Sequence, residues 1–470
     1  MKKRKEIAMS INSFEDFPMS WKPVIDQGAK PMYRFLANQL EQDIVKGLLL
    51  PGTRLPPQRE LADFLDINVS TVSKAFKLCE LKGLLSATVG SGTFVSFDAL
   101  SNAYLLSDRK TPNVIELGAT LPEPGSYESL AVQLRSMVNE PDIVKWFGYS
   151  RPNDMLWQKD AAVKLMERGG YDTEIDSILF SNGGQNAITA ALAGLCKHGD
   201  KVGADPHTYP GLKTAAAMLG IQLVPIRQRD REMDAQALAD ACRSDNLKGI
   251  YLIPDHHNPT THRMSLTRRK ALAKVAREQN IFIIEDATYH LMCPKRLPAV
   301  ATFAPDQTIH IASLSKTAAP GLRLAYVSVP ERYRKSLSNA LYNINISVSP
   351  LMAELAARMI VSGNIDTIIE SHRKNTIARN KRVNQMLSNY RCLGDETSIF
   401  RWIQLPAGIS GASFERLALE RGVQVYAAER FTVGNSLPEN AVRMSVCAPE
   451  TIEELARGLV ILEKLLKTLS

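Results

Sequence analysis

Lys316 stands in Ser313-Leu314-Ser315-Lys316, directly after an apolar run, and Arg323 follows in Gly321-Leu322-Arg323. Upstream, Asp286 ends the run Ile281-Phe282-Ile283-Ile284-Glu285, and Tyr289 comes three residues later. Asn258 lies in His257-Asn258-Pro259-Thr260, after a further apolar run. Together these residue types suit pyridoxal phosphate (PLP). A lysine amine forms a Schiff base with an aldehyde cofactor. A carboxylate opposite the pyridine nitrogen keeps that nitrogen protonated, so the ring can draw electrons; Asp286 is the candidate. Asn258 and Tyr289 can hold the ring's phenolate oxygen. The cofactor phosphate needs a helix N-terminus with free N–H groups, which Gly183-Gly184-Gln185 offers between a strand and a helix. Ser313, Ser315 and Arg323 add hydroxyl and guanidinium donors, and Tyr209, in His207-Thr208-Tyr209-Pro210, could stack on the ring.

Taken singly, each residue has an ordinary reading. A lone Lys or Arg is a surface charge, a strand-end Asp a helix cap, and Tyr209 or Tyr289 a core aromatic with a hydrogen-bonded tip. Their order and their common place at strand ends argue otherwise, because parallel α/β sheets bind ligands there. His256, His257 and His262 invite a metal reading, but no further ligands at zinc spacing accompany them, and they are read as pocket-lining or loop residues.

The elements that must position this set alternate from about Val114 onward. Strands are expected at 178–180, 202–204, 223–225, 250–253, 281–284, 309–312 and 324–327, with helices at 185–196 and 267–279 between them. Runs this apolar belong in a mostly parallel sheet covered by helices. From about Val348 the pattern is helix-rich, with one strand expected at Ala441–Val446 and a closing helix at Thr451–Leu469, a smaller C-terminal α/β subdomain.

The first hundred residues read differently. A short helix reaching about Leu65 is followed by the turn Ile67-Asn68-Val69-Ser70 and a helix expected over Thr71–Leu81 with Ser70 as its N-cap. That is a helix-turn-helix, whose second helix is free to enter a major groove. Gly83-Leu84-Leu85 begins a hairpin that Gly90-Ser91-Gly92-Thr93 turns into Phe94-Val95, a wing. The divisions expected are a tail at 1–27, a winged helix at 28–97, a linker at 98–113 and the large domain at 114–470.

Composition agrees with a folded protein. Of 470 residues, 45% are hydrophobic and 23% charged, which excludes a wholly disordered or fibrous chain. No apolar run approaches the ~18–20 residues a membrane span needs. The basic start Met1-Lys2-Lys3-Arg4-Lys5 lacks the apolar stretch of a signal peptide. Six scattered cysteines without a Cys-x-x-Cys pair suggest free thiols in a reducing cytoplasm. The net charge of +8 permits a polyanionic partner without proving one.

The stretches "LPGTRLPPQRELA", "STVSKAF" and "GSGTFV" resemble the GntR-type winged helix over nearly the whole small domain. The resemblance implies that Arg54, Arg59, Ser70, Thr71 and Lys74 meet DNA, with Gly92 at the wing. Residues 114–470 resemble the fold-type I, class I/II aminotransferases through Asn258-Pro259-Thr260, Asp286-x-x-Tyr289 and Ser313-x-Ser315-Lys316 with Arg323. That likeness assigns the cofactor-binding lysine to Lys316, the pyridine-nitrogen acid to Asp286 and the carboxylate-binding arginine to Arg443. It also makes Tyr149 the tyrosine that reaches a partner subunit's phosphate. The chain departs from the pattern at Asp154 and Thr261, where glycines are common. The combination is similar to the MocR subfamily of bacterial regulators. It implies a homodimer, head-to-tail, that binds promoter DNA and senses an amino acid or related amine. An active aminotransferase carrying a DNA-binding domain, and a repressor whose large domain is only a scaffold, are the other readings.

Overall fold

The computed structural model describes residues 19–24, 30–45, 48–49, 52–88, 92–96, 113–122, 127–149 and 155–469. The chain divides into two compact units, 1–100 and 101–470.

In the first unit, α1 (Met32–Val45) and α2 (Gln58–Phe64) pack with α3 (Val69–Leu81). Leu36, Leu40, Leu61, Val72 and Phe76 form their shared core. The cap of α3 is Asn68, whose side chain accepts from the Ser70 N–H at 2.8 Å, so Ser70 is the second residue of the helix and not its cap. The helix therefore begins two residues earlier than the spacing predicts. The wing pairs β1 (Leu85–Thr88) antiparallel with β2 (Gly92–Val95). Part of the expected tail belongs to this unit: Trp21 is buried in its core and donates to Asp43 Oδ2 at 2.9 Å. The expected linker lies outside the described residues except for Asn113.

The second unit opens with β3 (Ile115–Glu116). Next come β4 (Ile178–Ser181), β5 (Lys201–Ala204) and β6 (Gln222–Pro225), then a small hairpin of β7 (Gln228–Arg229) and β8 (Glu232–Met233). They are followed by β9 (Gly249–Leu252), β10 (Phe282–Asp286), β11 (Thr308–Ser313) and β12 (Ala325–Ser328). Seven of these make one sheet in the order β4-β12-β11-β10-β9-β5-β6. Only β12 runs antiparallel to its neighbours within it. Each strand of β9 to β12 is buried along nearly its whole length, as the apolar runs require.

The C-terminal subdomain holds more strand than expected. Besides β17 (Ala441–Ser445), it contains β13 (Cys392–Leu393), β14 (Phe400–Gln404), β15 (Val423–Gln424) and β16 (Tyr426–Ala427). The sheet order is β13-β14-β17-β16, while β15 pairs in parallel with β3. Three of the four additional strands are two residues long, too short to show a period. In β14, Arg401 interrupts the apolar pattern yet is buried, because its guanidinium reaches Asn380, Asn384 and the Cys392 carbonyl. Helix 452–469 closes the chain, with Leu455, Leu459, Leu462 and Leu466 buried. Among the described residues, no helix is long and apolar enough to cross a membrane.

Candidate functional site

The strand ends of the large sheet bring most of the expected set together. Asp286 closes β10, and its buried carboxylate accepts three hydrogen bonds. Tyr251 Oη donates to Oδ2 at 2.7 Å, and the backbone and hydroxyl of Thr288 donate to Oδ1. Burial and the Asp286 charge push the Tyr251 phenol well above its usual range, so Tyr251 stays a donor. Tyr289 is buried against Phe400, with ring centroids 5.5 Å apart, and shares a hydrogen bond with Asn258. Burial first, and then Asp286, raise its pKa as well.

Lys316 follows the turn after β11. Its ammonium donates to the carbonyl of Thr120. Burial, with Arg443 and Arg323 nearby, lowers its pKa to about 8, against the opposing pull of Asp286. Arg443, on β17, is 4% exposed. It donates from Nη1 to Asn258 Oδ1 and from Nη2 to the Gly118 carbonyl, each at 2.6 Å. Its Nε is buried without a hydrogen-bond partner. The guanidinium lies 4.7 Å from the Phe431 ring and 5.4 Å from that of Tyr426. Among the described residues no carboxylate pairs with it. Burial lowers its pKa to about 10, which leaves it cationic at neutral pH.

An anion cradle adjoins these groups. Gly183, at φ +85°, caps the helix Gly184–Leu195, and a Cβ there would lie 2.9 Å from Arg323 Nη2. A Cβ on Gly184 would lie 3.5 Å from Ser313 Oγ, which itself contacts Ser315 Oγ at 3.0 Å. Helix N–H groups, two hydroxyls and one guanidinium therefore face one small space, a donor set for phosphate. Gln185 donates to the Gly211 carbonyl at 2.8 Å, and its Oε1 is buried without a partner. Glycine at 211 leaves room for the Tyr209 ring, which a Cβ would meet at 2.3 Å. Burial, and then the Asp286 charge, raise the Tyr209 pKa to about 12.

One expected residue lies apart from this cluster. Tyr149 is 83% exposed and lines a separate apolar groove of about 430 Å³ with Met155, Leu179 and Tyr342. Within one chain it does not join Lys316. Asp154 lies outside the described residues. Thr261, by contrast, adopts φ +63°, so the loop keeps the backbone that glycine favours. The three histidines are held by neighbours: His256 by Ser398 at 2.8 Å, His257 by Thr260 at 2.7 Å and His262 by Glu232 at 3.3 Å. Tyr251, Thr288, Gly118 and Thr120 were not anticipated. Tyr251 hides inside an apolar strand, and Gly118-Ala119-Thr120 looks like an ordinary loop.

On the small unit, Arg54, Arg59, Ser70 and Lys74 are exposed and Thr71 is half-buried. Ser70, Lys74 and Lys77 fall at i, i+4 and i+7, one open face of α3. Gly92 sits at φ +113°, and a Cβ there would meet Arg54 Nε at 3.0 Å, so the Arg54 side chain lies against the wing. Ser73 is occupied internally, donating to Gln58 Oε1 at 2.6 Å.

Residues 142–459 match the family model "Aminotransferase class I and II", and residues 32–95 match "Bacterial regulatory proteins, gntR family". The chain is 63% identical over 462 residues to the uncharacterized HTH-type transcriptional regulator YdeF of Bacillus subtilis, covering 98% of this chain and all of that one. In fold it is similar to an archaeal alanine:glyoxylate aminotransferase, with a TM-score of 0.70, 22% identity, and coverage of 76% of this chain and 92% of that one. It is similar too to LysN, the α-aminoadipate aminotransferase of Thermus thermophilus, with a TM-score of 0.69, 22% identity, and coverage of 78% and 97%. The chain belongs to the class I and II aminotransferase family through its large domain and to the GntR family of bacterial regulators through its small one, the layout of MocR-type transcriptional regulators.

Proposed function

We propose that this transcriptional regulator holds PLP at Lys316 and answers to an amino acid or related amine. The observation that carries the reading is Arg443: a buried guanidinium held only by neutral oxygens, with Nε unpartnered, beside a lysine and the Asp286 carboxylate. Class I and II aminotransferases use PLP, which supplies an aldehyde carbon for amines and an electron-withdrawing ring. Here Asp286 would face the pyridine nitrogen, fixed by Tyr251 and Thr288. Asn258 and Tyr289 would hold the phenolate, and Gly183, Gly184, Gln185, Ser313, Ser315 and Arg323 the phosphate. Arg443 would take the carboxylate of an α-amino acid in a bidentate pair. Tyr149 would complete the partner subunit's site in a head-to-tail homodimer. Arg54, Arg59, Ser70, Thr71, Lys74 and Gly92 would form the DNA face. This is an activity for the cytoplasm, where promoter DNA lies.

The test is borohydride reduction of PLP-treated protein followed by peptide mapping. Capture at Lys316 is expected, and capture at another lysine contradicts the assignment. In Arg443→Ala, PLP should still attach while amino acids no longer change its visible spectrum. The intact lysine, aspartate and arginine set also suits a working aminotransferase. Turnover with a panel of amino acids and 2-oxo acids separates that enzyme from a sensor.

A further inference from the structure

The residues just after β3 enter the site. Leu117 is fully buried; its N–H donates to the Gln424 carbonyl at 2.9 Å, and its own carbonyl accepts from the Ser445 N–H at 2.6 Å. That stitches the segment to both β15 and β17. Glu116 Oε1 then accepts from the N–H groups of Gly118 and Ala119, at 2.5 and 2.8 Å. The turn so fixed brings two carbonyls to the two site cations: Gly118 O to Arg443 Nη2 and Thr120 O to Lys316 Nζ. The Thr120 hydroxyl is buried there without a partner. A Cβ on Gly118 would lie 2.4 Å from Tyr426 Cε1, so only glycine allows this approach.

A neutral carbonyl is a weak partner for a buried cation. A ligand carboxylate brings the opposite charge and a bidentate geometry to a guanidinium, which a carbonyl lacks. A carboxylate at Arg443 therefore competes directly with the Gly118 carbonyl. A cofactor that engages the Lys316 nitrogen removes a donor from the Thr120 carbonyl. In the other direction the chain runs from β3 through residues 98–113 to the DNA-binding module. We propose that Gly118–Thr120 is the reporter segment of the sensor: it occupies the two ligand-binding cations in the free protein, is displaced when ligands take them, and passes that displacement along β3 toward the DNA-binding module. This rests on the reading of Lys316 and Arg443 as ligand groups. It supplies the two-state element that coupling between distant sites requires.

Hydrogen exchange of the full-length protein tests it, with PLP alone and then PLP plus aminooxyacetate as probes. Aminooxyacetate joins an aldehyde-reactive nitrogen to a carboxylate, so no knowledge of the natural effector is needed; its nitrogen would take the cofactor's aldehyde carbon from Lys316 and return the lysine amine, so this second probe reads the Arg443 contact. Adding it to PLP-loaded protein should speed exchange at the Gly118 and Ala119 amides at least ~5-fold, the lower end of typical coupling. A changed visible spectrum with unchanged exchange overturns the reporter role alone. No spectral response to PLP overturns the cofactor reading, and this proposal with it. Glu116→Ala, which frees the turn, should take up PLP with the parent's spectrum. It should lose most of the parent's ~5–150-fold ligand-dependent change in affinity for a promoter fragment. A full parental response in that variant would also overturn the proposal.

Discussion

Arg443 sits close enough to Lys316 to disfavour the lysine's charge, and this has a measurable consequence. The neutral amine of Lys316 is the form that attacks an aldehyde. Its pKa is lowered to about 8 by burial and two guanidinium groups, so the reactive fraction rises as pH passes through about 8. The rate of PLP attachment should therefore climb between pH 7 and 9 with a midpoint near that value. Arg443→Gln removes one of the lowering charges and should move the midpoint upward. An unchanged midpoint, read by visible absorbance, would show that the two groups do not interact. At this scale the sequence was most legible. Lys316, Asp286, Tyr289 and Asn258 carry distinctive types at or just after strand ends, Arg443 lies within β17 where the family resemblance put it, and the fold brings the five together. The supporting groups were hidden for a physical reason. Tyr251 sits in a fully buried strand, where an aromatic normally means packing, and Gly118 and Thr120 act through backbone carbonyls that every residue possesses.

Two turns decide whether those residues meet. Gly183 holds φ +85° where the cradle opens, and an added Cβ would crowd Arg323. Gly183→Ala should strain the turn, at φ +85° and ψ 169°, by about 1–3 kcal/mol, and a loss of that size in PLP binding is roughly tenfold or more in affinity. Equilibrium titration with PLP checks it. Thr261 presents the opposite case, a β-branched residue at φ +63°. Thr261→Gly should relieve strain of about 1–2 kcal/mol, offset in part by the freedom glycine adds to the unfolded chain. Unfolding in denaturant should show a net gain of up to ~1 kcal/mol, and a loss would mean that the threonine's own contacts matter more. Elements were legible where an apolar run reaches three residues or more, as in β4 and β9 to β12. They were missed where pairing is brief, as in β13, β15 and β16, whose two residues each are placed by their neighbours and not by their own pattern.

Over the whole molecule, two units with separate cores should fail separately. Trp21 is buried in the core of the small unit, ahead of its first helix, and its pairing with Asp43 ties that segment there. Trp21→Ala should cost about 3–5 kcal/mol in that unit. DNA binding should fall while PLP uptake by the large unit persists; loss of both together would show that the units fold as one. Arg59→Ala and Lys74→Ala should each weaken DNA binding. A residue that touches only phosphate should reduce the salt slope by about one. One chain is expected to read cofactor chemistry at Lys316 and to report it to DNA. The most direct test is recovery of genomic fragments by the purified full-length protein, with and without PLP and an amino-acid panel, in parent and Lys316→Ala. Fragments bearing two related half-sites are expected, with an affinity for the parent that shifts with PLP and one of the amino acids and does not shift for the variant. The same fragments bound with the same affinity under every condition, in parent and variant alike, would contradict that expectation.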